Sequence, residues 1–85
     1  MTPSKIPVPQ SRIDIAAQLS LISRRLKAIS DQIFAEAERG LPASLQPVLD
    51  IGECGKETMV VFVVACQGLD PIQKREIASA TYSVQ

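Results

Sequence analysis

Between Ser11 and Gly40, large aliphatic residues recur in alternating four- and three-residue steps: Ile15, Leu19, Ile22, Leu26, Ile29 and Ile33. This is a heptad seam, and its period fits an α-helix that lays one stripe against another helix. The ends are marked as well. Ser11 is a good N-cap, with Asp14 three residues on, where an acid favours a helix N-terminus. Gly40 suits the left-handed position after a helix, and Pro42 prevents continuation. One flank of the seam carries a small residue every seventh place, at Ala16, Ser23, Ser30 and Ala37, which lets another backbone approach closely. Arg24, Asp31 and Glu38 fall on the outer side.

The seam matters more because the chain is short. Its 85 residues make one domain at most. A helix of this extent is about 42 Å long, whereas a compact domain of this size is about 30 Å across. Part of the helix is therefore expected to overhang its own subunit and to be covered by a copy or a partner. Closed twofold symmetry is the commonest way to supply that cover, so a homodimer is expected.

Elsewhere the pattern is weaker. Residues 1–10, with Pro3, Pro7 and Pro9, read as a flexible proline-rich tail, although Ile6 and Val8 have the character to dock. Residues 11–85 form the single domain. Leu41 to Pro47 is a connector broken by two prolines. Met59 to Cys66 is an apolar run with four valines and a phenylalanine, a composition that favours a buried strand. Val48 to Ile51 would pair with it through the glycine-containing stretch 52–58 as a β-hairpin. A buried helix has the same apolar signature. The expected fold is thus α+β: a long N-terminal amphipathic helix, a β-hairpin and a short C-terminal helix. An all-α helical bundle is the alternative. Asp70, Pro71 and Gln73 mark the start of the last helix, running to about Ala80. Residues 81–85 read as a fraying tail or a short edge strand.

Composition then narrows the chemistry. Nine basic and nine acidic residues leave no net charge, so the general basic excess of a nucleic-acid binder is missing. Histidine is absent, which removes the usual general base and the commonest metal ligand. Two cysteines, Cys54 and Cys66, cannot alone complete a four-ligand zinc site. No apolar stretch approaches the ~20 residues of a membrane span. The prolines of the first ten residues do not suit a signal peptide. A reducing, cytoplasmic setting is expected.

Three local features are candidate sites. Gly52-Glu53-Cys54-Gly55-Lys56-Glu57-Thr58 superficially resembles a phosphate loop, but the glycines are too close and Glu57 follows the lysine. The same Gly-x-x-Gly lacks the basic surroundings of an RNA clamp. Cys54, placed in this turn beside Lys56, is a candidate reactive thiol, and Cys66 a small core hydrophobe. Arg24, Arg25 and Lys27 point in different directions around the helix, with Asp31 one turn beyond Lys27.

The expected function is accordingly a non-catalytic protein–protein interaction module, a small regulator, adaptor or inhibitor. Its seam would comprise Ile15, Leu19, Ile22, Leu26, Ile29 and Ile33 with Ala16, Ser23, Ser30 and Ala37. No enzyme activity, cofactor, metal or small-molecule ligand is expected. Two alternatives stand beside it: a dimeric nucleic-acid-binding regulator using Arg24, Arg25 and Lys27 or Lys74 and Arg75, and a small redox protein or enzyme dependent on Cys54.

Overall fold

The computed structural model describes residues 6–83 and consists there of helices alone: α1 (Arg12–Glu38), α2 (Leu45–Gln67) and α3 (Pro71–Ser83). The first two pack side by side as an antiparallel hairpin, and α3 packs on it far less.

The expected ends of α1 are in place. Asp14 N–H donates to Ser11 Oγ at 3.1 Å, and Gln10 N–H donates to the Asp14 carboxylate at 3.0 Å. At the other end Gly40 has φ +69°. Its N–H donates to Ala37 O and that of Leu41 to Glu36 O, the paired bonds of a Schellman motif. Ser44 Oγ donates to the Glu36 carboxylate at 2.9–3.0 Å, which ties the connector back onto α1.

The β-hairpin is not formed. Val48–Ile51, the glycine stretch and Met59–Cys66 all lie within the 23 residues of α2, so the all-α alternative describes the architecture. Three physical reasons account for this. Pro47 sits in the first helical turn, where an N–H has no intrahelical acceptor to lose. Pro47, Cys54 and Val61 recur at seven-residue spacing and are all buried. They form a stripe that matches Ile15, Ile22 and Ile29 on α1. Packing against that stripe overrides the β preference of the valines, which is weak and context-dependent.

α3 begins as its sequence indicates. Gln73 N–H donates to Asp70 Oδ1 at 2.8 Å, and Asp70 N–H donates to Gln73 Oε1 at 3.3 Å, a reciprocal capping box. The helix runs past Ala80 to Ser83, so residues 81–83 are helical in place of the expected tail or edge strand, and residues 84–85 lie outside the described residues.

Of the proline-rich segment, residues 1–5 lie outside the described residues. Residues 6–10 carry no regular secondary structure and lie against α1. Pro9 is buried, and Gln18 Nε2 donates to Pro7 O at 2.9 Å. Ile6 is half-buried and Val8 exposed, so a proline makes the closest approach.

The expectation that α1 overhangs its subunit needs correcting. At 27 and 23 residues, α1 and α2 run alongside each other for most of their length. The part of α1 left without cover is a side of the helix rather than an end.

Candidate functional site

The heptad seam is divided by the hairpin. Ile22 and Ile29 are buried against Cys54 and Val61, with Ile15 packed at the edge of the same cluster. Leu19, Leu26 and Ile33 remain substantially exposed, Leu26 at 44%. Since one stripe of α1 faces α2, residues turned about 40–60° from it look out on one flank or the other.

The two flanks differ in chemistry. One is closed by polar contacts: Arg25 forms an ion pair with Glu57 across the helices, and Gln18 meets the proline-rich segment at Pro7. The hydrogen bond that Arg25 donates to Glu57 raises the Arg25 pKa further, against desolvation, so the guanidinium stays charged. The other flank is open and apolar. Two shallow grooves join there at Leu26 and Ile51. One continues over Cys54, Gly55, Thr58, Met59 and Phe62 of α2. The other continues over Ser30, Ile33, Phe34 and Ala37 of α1. No charged residue lines either groove.

Each seam residue therefore has a definite place. Ile15, Ile22 and Ile29 serve the hairpin itself, while Leu26 and Ile33 form the open face with Ser30 and Ala37 beside them. Ser23 is exposed. Ala16 and Leu19 line a separate cleft at the end of the hairpin, with Ile15, Val64, Leu69 and Gln73.

The other candidates change character in the folded chain. Gly52 and Gly55 lie inside α2, where successive N–H groups are committed to the helix. No loop remains to cradle phosphate or clamp a nucleic-acid backbone. Thr58 Oγ1 donates to Cys54 O at 2.7 Å, a bond of a helix interior. Cys54, 2% exposed, belongs to the core rather than to an exposed turn, and Cys66 is half-buried. Arg25 is engaged with Glu57, and Lys27 Nζ lies 2.7 Å from Asp31 Oδ1. Among the described residues no group of three His, Cys, Asp or Glu side chains is placed to hold a metal. Nor is any helix there long and apolar enough to cross a membrane.

The sequence reading missed the contribution of α2 to the open face: Ile51, Gly55, Met59 and Phe62. A signal for it exists. Val48, Gly55 and Phe62 recur every seven residues, in phase with the buried Pro47, Cys54 and Val61. Treating residues 52–58 as a turn concealed that recurrence.

The chain matches no family model, no curated protein and no solved structure.

Proposed function

We propose that this chain is a non-catalytic protein–protein interaction module, a small regulator, adaptor or inhibitor whose working surface is the open face of the α1–α2 hairpin. The observation that carries the reading is the charge-free groove over Leu26, Ile33, Ile51, Met59 and Phe62, on a chain whose hydrophobic core is Ile22, Ile29, Cys54 and Val61. Large contiguous apolar surface on a small protein marks an interaction site. The two unpaired cysteines suit a reducing compartment, and a cytoplasmic setting completes the reading. Nucleic-acid recognition is less well supported, because Arg25 and Lys27 are each held by a carboxylate.

The test compares two baits in extracts of the native host, the natural chain and Phe62→Asp. Phe62 is 44% exposed, so the aspartate reaches water in the single chain and helicity by circular dichroism should be kept. Proteins retained by the natural chain, further copies of it included, should be lost from Phe62→Asp. Equal retention by both folded baits would overturn the reading.

A further inference from the structure

We propose that the occupant of the open face is a second copy of this chain, related by a twofold axis that crosses the face at Leu26 and lies perpendicular to the helices. The inference rests on the interaction reading above and names its partner.

Shape supplies the first argument. The molecule measures 50 × 37 × 23 Å, with a radius of gyration of 16.2 Å. A compact chain of this length would have a radius of about 12 Å. Its accessible surface is 7046 Å², against about 4,900 Å² for a compact monomer of this mass. A standard interface removes about 800 Å² from each partner. One such contact fits comfortably within the excess.

The second argument is self-complementarity. An axis at Leu26 sets Leu26 against itself and Leu19 against Ile33 of the second copy. The small residues then meet each other: Ser23 faces Ser30, and Ala16 faces Ala37. The level of α2 beside Leu26 is fixed by the groove they share, which includes Cys54, Gly55 and Thr58. The same axis therefore passes α2 between Gly55 and Thr58. There it sets Gly55 against Thr58 of the other copy and Ile51 against Phe62. About one axis both helices meet apolar or small neighbours, so the charge-free face of one copy is covered by the same charge-free face of the other. Nothing within 4 Å would meet a Cβ at Gly55 in the single chain, which leaves room there for an approaching backbone.

The product is a four-helix bundle with every helix antiparallel to its neighbours. No charged residue lines either groove, so covering the grooves desolvates no ion. The Arg25–Glu57 pairs remain on the outer, closed flanks.

Light scattering on the full-length chain, coupled to size exclusion over a range of micromolar concentrations, should give twice the 9.2 kDa chain mass. Leu26→Asp should return the single-chain mass with its helical circular dichroism retained. Position is tested by oxidative crosslinking of Leu26→Cys in a Cys66→Ser background, with Cys54 left in place because it is buried. Leu26→Cys should form a disulfide dimer readily, since the axis brings its Cβ atoms within disulfide reach. Ile13→Cys, 81% exposed near the start of α1 and about 20 Å along the helix from Leu26, should not. A single-chain mass throughout would overturn self-association, while the bait comparison still decides the interaction reading. A dimer in which Leu26→Cys crosslinks no faster than Ile13→Cys would overturn the proposed axis.

Discussion

Replacing Gly52 with alanine gives opposite results for the two architectures open to this sequence. In α2, Gly52 is exposed, and a Cβ built on it meets nothing within 4 Å. The only positive φ among glycines of the described residues belongs to Gly40. Alanine at position 52 therefore introduces neither a clash nor backbone strain. It removes the entropic penalty of a glycine in a helix interior, about 0.5–1 kcal/mol. For a domain of this size each kcal/mol moves the melting temperature by about 4–8 °C. Gly52→Ala should raise it by about 2–8 °C, with an unchanged urea m-value. In a β-hairpin turn that uses glycine at positive φ, the same substitution would cost about 1–2 kcal/mol and lower it. Scanning calorimetry and urea titration at one fixed protein concentration settle the sign, fixed concentration being needed because association shifts apparent stability. A lower melting temperature for Gly52→Ala would refute a continuous α2.

Two further outcomes follow from the packing. Ile22→Ala should destabilise by about 2–5 kcal/mol, the range for deleting a buried aliphatic side chain, whereas Ile13→Ala should stay within about 0.5 kcal/mol; urea midpoints would show both. In the folded protein Cys66 should react with a thiol reagent well before Cys54, and in urea the two should become equivalent; equal rates without urea would mean that Cys54 is not in the core.

The chain announces its helix ends plainly because those signals are local. Ser11 with Asp14, Gly40 before Pro42, and Asp70 with Gln73 each act through bonds spanning a few residues, and each bond forms. The middle of the chain is harder to read for a physical reason. Four valines and two glycines lower helix propensity between residues 52 and 64. What holds that segment helical is contact with Ile22 and Ile29, residues far away in sequence. The stripe that makes this contact contains a proline, a residue that seldom marks a helix's buried side. The apolar seam of α1 was visible, but its division between a hairpin partner and an open flank depends on where α2 lies. That in turn decides which half of the seam is buried against α2 and which half stays exposed.

This division bears on how such a protein can change over generations. The residues that hold the hairpin together, Ile15, Ile22, Ile29, Cys54 and Val61, are distinct from the open-face residues Leu26, Ile33, Ile51, Met59 and Phe62. On the proposed reading, a substitution in the second set would alter partner choice with only modest loss to the single chain, because those side chains already sit partly in water. A substitution in the first set is felt throughout the molecule. Drift can therefore retune recognition one residue at a time while the hairpin stays fixed. Relatives of this chain should then differ most along the flank that the Arg25–Glu57 pair leaves open.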